Sequence, residues 1–291
     1  MTHPGPTLAG FSGSWSVDPA QIALLAIAAG LYCLGVRRCR RRWPVWRAAS
    51  FLTGLTVLGV ALLSGIDRYA DELLSVHMVQ HLLLLLVAPA LLLWGAPVRL
   101  ALAASAHRTR SVLATVLSSR TMRLVSSPPV GFAVFALAVL ATHLTGLFEL
   151  ALKDETVHAL EHAAYFWAGI TFLAPLIAAD PLPRSPSAIA RFSWLMGAMA
   201  AMAIPGALLT FSTSVRYPFY LAPARALGRS ALSDQHLAGA IMWVGGGIVM
   251  FALALTLAMG AMLAEERRQL RRDLHAHPGE STPTSTGALG A

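Results

Sequence analysis

The chain has 291 residues, of which 56% are apolar and only 12% are charged, and its mean hydropathy is +0.62. Because soluble domains carry about 25% charged residues, this composition places the chain among membrane proteins. The formal net charge of +8 does not indicate a nucleic-acid partner, since the arginines cluster between apolar runs and so define membrane topology.

Seven apolar segments come close to the roughly 20 residues that a membrane span requires. In chain order these segments are Pro19–Val36, Ala48–Ile66, Leu74–Trp94, Val130–Phe148, Val157–Ala179, Phe192–Ser212 and Leu237–Leu263. The sequence therefore predicts an all-α fold, a polytopic transmembrane bundle with seven spans. Residues 1–17 form a predicted extracytoplasmic tail, residues 18–266 the transmembrane domain, and residues 267–291 a basic, disordered cytoplasmic tail. The first tail contains no Lys or Arg, so we expect the first span to be retained and not cleaved as a signal peptide.

The distribution of Lys and Arg predicts the orientation. With loops that alternate across the bilayer, one side carries 17 of these residues and the other carries 5. The richer side of a membrane protein faces the cytoplasm, so we predict an N-terminus outside and a C-terminus in the cytoplasm. Within the long third loop, the stretch from Thr109 to Val125 mixes Arg with apolar residues. It is predicted to form one amphipathic helix on the cytoplasmic surface.

Histidines are concentrated at the predicted outer end of the spans. The six that fall there are His77, His81, His143, His158, His162 and His236. At a rise of about 1.5 Å per residue, all six lie within roughly 10 Å of the outer interface. His77 and His81 are spaced i, i+4, so both project from one helix face, and His158 and His162 repeat this spacing. Two such pairs can offer four imidazole nitrogens to one metal ion.

Four further residues near this level are candidates for a supporting role. Glu161 lies inside the histidine layer, where a carboxylate can orient an imidazole. Asp234 precedes the seventh span. Met78 and Met242 carry thioethers, which suit Cu(I).

Three classes of function are consistent with these residues. Imidazoles suit copper and zinc, and copper leads the divalent affinity order, which favours a metal-handling protein. Histidines also serve as axial ligands of haem b in membrane cytochromes. Finally, His158-x-x-Glu161-His162 fits the inverted zincin pattern of a metalloprotease, with Glu161 as base. The parallel motif His77-x-x-Gln80-His81 has no carboxylate at this place, which favours a shared ligand role over a unique catalytic base.

Several motifs resemble those of the CtaG family of cytochrome c oxidase assembly factors. They are His77-Met78-x-Gln80-His81 with the later Ala88-Pro89, His158-x-x-Glu161-His162, and the run from Ser233 to Trp243 that opens the seventh span. The resemblance covers about residues 48–263 and includes the seven-span layout. Two positions depart from the family pattern: Leu82 stands where many relatives have Met, and His236 where Gln is expected.

The resemblance implies a bacterial plasma-membrane protein that helps to mature a terminal oxidase and is not an enzyme. Its partners would be oxidase subunits, and its cargo would be copper. On this basis His77, His81, His158 and His162 are the expected ligands, with His143 nearby. Glu161 and Asp234 would support or gate the site, and the ion would pass to an oxidase copper centre on the outer side.

Overall fold

The computed structural model describes residues 13, 15, 18–39, 42–183 and 186–276. Every regular element among these residues is helical, which confirms the all-α fold. In this part of the chain, six helices are long and apolar enough to cross a membrane: Pro19–Arg38, Val45–Leu63, Leu74–Ala104, Glu155–Ile177, Ala188–Thr210 and Ala231–Arg272. The chain is thus a multi-pass helical membrane protein.

The fourth predicted span corresponds to a shorter apolar helix, Pro128–Leu144, of 17 residues. It ends before the predicted boundary at Phe148 because the backbone becomes extended at Thr145. Phe148 lies instead in a separate short helix, Leu147–Ala151. This break turns the Phe148 side chain into the protein interior, where it is fully buried.

We number the helices in chain order. The N-terminal half contains α1 (Pro19–Arg38), α2 (Val45–Leu63), α3 (Gly65–Ala70), α4 (Leu74–Leu82, a π-helical turn Leu83–Val87, then Ala88–Trp94), α5 (Pro97–Ala104), α6 (His107–Ser118), α7 (Arg120–Val125) and α8 (Pro128–Leu144). The C-terminal half contains α9 (Leu147–Ala151), α10 (Glu155–Ile177), α11 (Ala188–Thr210), α12 (Leu221–Ala226) and α13 (Ala231–Ala240, a π-helical turn Ile241–Gly245, then Gly246–Ala276).

The predicted surface helix between Thr109 and Val125 is two helices, α6 and α7. The break falls at Ser119, whose extended backbone ends α6 and whose hydroxyl accepts the Met122 N–H at 3.1 Å to cap α7. A Ser at this place competes with the helix for backbone hydrogen bonds. No residue of either helix is buried, in agreement with a surface position.

Helix α4 forms the centre of the bundle. The segment Leu74–Ala104, which begins with α4, is the most buried of the six long apolar helices in the described residues, whereas α1 packs on the outside. Helix α10 approaches α4 closely at Gly169, where a Cβ atom would collide with the Leu85 carbonyl oxygen and lie 2.8 Å from Pro89 Cγ. Small residues at a helix crossing allow such close approach in membranes. This contact holds the middle parts of α4 and α10 side by side.

The last helix continues to Ala276, beyond residue 266 where the transmembrane domain was predicted to end. Its final turns are exposed and rich in Glu and Arg, and Arg268 pairs with Glu265 at 3.5 Å. Such i, i+3 pairs support a solvated helix. Residues 277–291 lie outside the described residues, as does most of the N-terminal tail.

Candidate metal site

Acidic caps fix the two helices that carry the paired histidines. At the start of α4, Asp234 of α13 accepts the Ser75 backbone N–H at 3.2 Å and the Ser75 hydroxyl at 2.5 Å. At the start of α10, Asp154 accepts the N–H groups of Thr156 and Val157 at 2.8 and 3.0 Å. A carboxylate here satisfies free N–H groups and opposes the positive end of the helix dipole. Asp234 therefore supports the site by holding α4.

Four of the predicted ligands meet in one cluster between α4 and α10. The Nε2 atoms of His77 and His81 are 2.9 Å apart. The rings of His158 and His162 are 4.2 Å apart between centroids. The His77 ring lies 5.3 Å from the His158 ring and 6.3 Å from the His162 ring. The i, i+4 spacing thus placed each pair on one face, as predicted.

Two overlapping sets of side chains have ligand atoms close enough to share an ion. One set is His77, His158 and His162, and the other is His77, His81 and Glu161. Within each set the ligand atoms all lie within 4.8 Å of one another. Glu161 Oε1 is 3.8 Å from His81 Nε2, so this carboxylate stands among the ring nitrogens and not behind them.

Six buried polar atoms in and beside the cluster have no hydrogen-bond partner in the described part of the chain. The atoms concerned are Nδ1 of His81, Nε2 of His143, His158 and His162, and both carboxylate oxygens of Glu161. Each buried polar group left unpaired costs about 1–3 kcal/mol, and charged groups cost more. A bound cation would satisfy several of these lone pairs at once. The donor set of imidazoles and one carboxylate fits a transition-metal ion such as copper or zinc.

Tyr220 determines the tautomer of His77. The Tyr220 hydroxyl donates to the Ala70 carbonyl at 2.9 Å, so it accepts the Nδ1–H of His77 at 3.1 Å. The remaining lone pair of His77 is therefore on Nε2, which faces His81. Partners of this kind orient metal-ligating histidines. No pattern in the sequence pointed to Tyr220, which lies in a short 3₁₀ helix 143 residues from His77.

His143 adjoins the cluster but belongs to neither set. Its Nδ1 donates to the Val139 carbonyl at 3.1 Å in its own helix, with the Tyr165 hydroxyl 3.2 Å away. Its ring lies 6.0 Å from that of His81. The ring of Phe148 packs against it at 5.4 Å.

Three of the candidate residues serve other purposes in the structure. His236 donates from Nε2 to the Ser212 carbonyl at 2.8 Å and is absent from both sets. Met78 and Met242 are buried among apolar side chains of the main core. Their thioethers therefore contribute to packing.

The two similar histidine motifs use their fourth residue differently. Gln80 Nε2 donates to the Ala61 carbonyl and to Asp67 Oδ1, both at 2.8 Å, so it ties α4 to α2 and α3. Glu161 instead faces the histidines. Asp67 and Asp71 interact electrostatically with His158, and burial raises the pKa of both carboxyl groups. This side of the cluster therefore has an acidic border.

Sequence reasoning also missed Gln235. Its Oε1 accepts the Arg216 N–H at 2.7 Å and its Nε2 donates to the Ser214 carbonyl at 3.1 Å. These bonds fix the segment that leads to Tyr217 and Tyr220. Both tyrosines then point their hydroxyls at the histidine helices.

The fold and the cluster define a class: a helical multi-pass membrane protein with a buried group of histidines and one carboxylate near the beginnings of two central helices. Within that class, the model of the cytochrome c oxidase caa3 assembly factor family, CtaG, matches residues 30–263. The chain belongs to this family. The resemblance found in its motifs is thereby confirmed.

Curated relatives are found in mycobacteria. A protein of Mycobacterium leprae is 29% identical over 283 residues, and proteins of Mycobacterium bovis and Mycobacterium tuberculosis are each 30% identical over 282 residues. All three are called uncharacterized. The matches cover 93% of this chain but 43% of each relative, so the chain spans less than half of their length. No solved structure matches the chain.

Proposed function

We propose that this protein assists cytochrome c oxidase assembly by binding a copper ion in the histidine cluster and passing it to an oxidase copper centre. His77, His81, His158, His162 and Glu161 provide the ligands. Copper is cargo in this proposal, and the protein is not an enzyme. Oxidase subunits are the receiving partners.

The proposal includes the predicted membrane arrangement. Helix α8 is the fourth of seven spans, because its 17 residues cover about 25 Å of a hydrocarbon core about 30 Å thick. The N-terminus then lies outside and the C-terminus in the cytoplasm of a bacterial plasma membrane. The cluster lies on the periplasmic side, where copper reaches it without crossing the bilayer.

One observation carries the proposal: several buried donor atoms converge without partners of their own. Membrane proteins retain intramembrane ionisable groups at a cost, and such groups mark functional sites. Here the unpaired atoms are on His81, His158, His162 and Glu161. Hydrogen bonding would be expected to satisfy them if the cluster served only for packing.

The family supports copper as the cargo. Imidazoles alone suit zinc, copper, iron and nickel. Oxidase assembly factors serve an enzyme with copper centres, so copper is the ion that joins this donor set to this family.

A haem site fits the geometry less well. Axial haem ligands flank a broad planar ring, whereas the rings of His77 and His81 project from one helix face with 4.4 Å between centroids. Phe148 also packs against both of them, at 4.9 and 6.1 Å. A single ion suits this compact arrangement better than a macrocycle.

The test is copper binding by the full-length protein purified in detergent. The protein is loaded anaerobically with Cu(I), desalted, and its copper content is compared with that of the His77→Ala/His158→Ala variant. We expect bound copper in the wild type and loss of it in the variant. Equal copper content in both proteins would refute the ligand assignment.

His236→Ala is the matched control, because it removes a histidine of the same layer that lies outside both ligand sets. It should bind copper as the wild type does. An absorption spectrum of the same samples separates the haem alternative, which would give a strong Soret band. Proteolysis that Glu161→Gln abolishes while metal is retained would instead support the zincin alternative.

A further inference from the structure

We infer that the cluster holds one copper ion that alternates between two overlapping positions with His77 as their shared ligand. The outer position consists of His77, His158 and His162, and the inner position of His77, His81 and Glu161. This inference rests on the proposed function and describes how the same site takes up and passes on its cargo.

Sharing of His77 makes the two positions mutually exclusive. The Nδ1–H of His77 is held by Tyr220, whose own proton is donated to the Ala70 carbonyl. His77 therefore has a single lone pair, on Nε2. One lone pair binds one ion, so the outer and inner positions cannot be filled together.

His81 completes this arrangement in the metal-free protein. Because His77 Nε2 is an acceptor, the contact of 2.9 Å requires that His81 donates its Nε2–H. His81 Nδ1 is buried without a partner. When copper enters the inner position, the His81 proton can move from Nε2 to Nδ1, and Nε2 becomes a ligand. This change moves the proton within the His81 ring and needs no electron transfer.

The difference in burial between the two positions indicates the direction in which copper moves. His158 and His162 are half-buried, whereas His77, His81 and Glu161 are all buried. Asp67 and Asp71 lie near His158 and favour a cation on that side. Copper would thus enter at the outer position and move inward.

The inward step is a ligand exchange around one retained bond. The bonds to His158 and His162 break, those to His81 and Glu161 form, and the bond to His77 persists throughout. The charge on copper does not change. Copper in the inner position replaces the proton that a buried Glu161 carboxyl group holds, and the carboxylate then provides an anionic ligand.

The experiment compares variants that each destroy one position. His158→Ala/His162→Ala removes the outer one, His81→Ala/Glu161→Gln removes the inner one, and His77→Ala damages both. Copper stoichiometry and affinity are measured anaerobically against a Cu(I) chelator, and X-ray absorption identifies the ligands. Circular dichroism and gel filtration verify that each variant folds, and His236→Ala serves as the control.

We expect one copper per chain in the wild type and in both double variants, with affinity about tenfold weaker or more in each double variant. His77→Ala should bind most weakly. The outer-shell scattering in X-ray absorption should correspond to three imidazoles in the His81→Ala/Glu161→Gln protein and to two in His158→Ala/His162→Ala.

Two results would overturn the inference while leaving copper handling intact. Two copper ions in the wild type would mean independent sites. Complete loss of copper from either double variant would mean one site that needs all its ligands at once. A wild-type protein that binds no copper would instead refute the proposed function itself.

Discussion

Gly169 couples the packing of the bundle to the geometry of the cluster, and Gly169→Ala tests that coupling. Gly169 lies seven residues after His162, on the same face of α10. An alanine Cβ would collide with the Leu85 carbonyl oxygen and lie 2.9 Å from the Leu85 carbonyl carbon. Since these are backbone atoms of α4, no side-chain rotation relieves the contact. The two helices must separate.

The distance by which the helices separate, and its cost in stability, can be estimated from the contacts of this Cβ atom. Ordinary carbon contacts begin near 3.4 Å, so the helices must move apart by at least roughly 0.5 Å. Overpacking costs about 1–3 kcal/mol, and an unyielding backbone contact belongs at the upper end. The higher helix propensity of alanine relative to glycine offsets about 1 kcal/mol of this cost. We therefore expect the free energy of unfolding to fall by about 2 kcal/mol.

The same movement separates the histidine pair of α10 from that of α4. Binding sites require their ligands within about 0.5 Å of the productive geometry, so we expect copper affinity to fall about tenfold. The assays are thermal unfolding in detergent and Cu(I) competition. Gly247→Ala is the matched control, because its Cβ would meet only Met199 Cε at 3.5 Å, an ordinary contact. Wild-type stability and affinity in Gly169→Ala would refute this account of the α4–α10 contact.

Asp234→Ala should lower the free energy of unfolding by about 2 kcal/mol, because Ser75 loses its buried acceptor. Asp234→Asn keeps an acceptor oxygen and should therefore retain much of the wild-type stability. Chemical denaturation measures both. Tyr220→Phe should weaken copper binding by about 10- to 100-fold in the Cu(I) competition assay, because His77 loses the partner of its Nδ1–H. Tyr217→Phe removes a hydroxyl that is bonded only to the His143 backbone carbonyl, so it should leave copper affinity unchanged. Equal effects of the two variants would contradict the tautomer argument. Desolvation raises the pKa of Asp67, so its ionisation costs stability as pH rises through the folded-state value. Asp67→Asn should therefore raise the unfolding midpoint of metal-free protein at pH 7, with a gain that shrinks towards the ordinary Asp pKa of about 3.9; a gain that grows on acidification would refute it.

The two similar histidine motifs show where local reasoning ends. Gln80 and Glu161 hold the same place in their motifs, three residues after the first histidine. Helix geometry gives both the same relation to their own histidines. The neighbours of each helix decide the rest: Gln80 finds partners on α2 and α3, while Glu161 faces the ring nitrogens. A pattern within one segment could not distinguish them.

The sequence by itself determined the features that depend on one segment at a time. Apolar length predicted the six helices of the described residues that are long enough to cross a membrane, since a helix in lipid must satisfy its own backbone. The i, i+4 spacing determined that His77 and His81 share a face, because 3.6 residues per turn is a local property. The family could also be recognised, since its motifs lie within single helices.

Only the tertiary structure decided which of these faces meet and what surrounds them. It brought His158 and His162 to His77, kept His236 with Ser212, and placed Tyr220 on His77. Each outcome depends on the rotation of one helix against another and on the path of the chain between α11 and α12. Packing over the whole bundle determines both the rotations and this path. Neither can be predicted from the spacing of residues along a single helix.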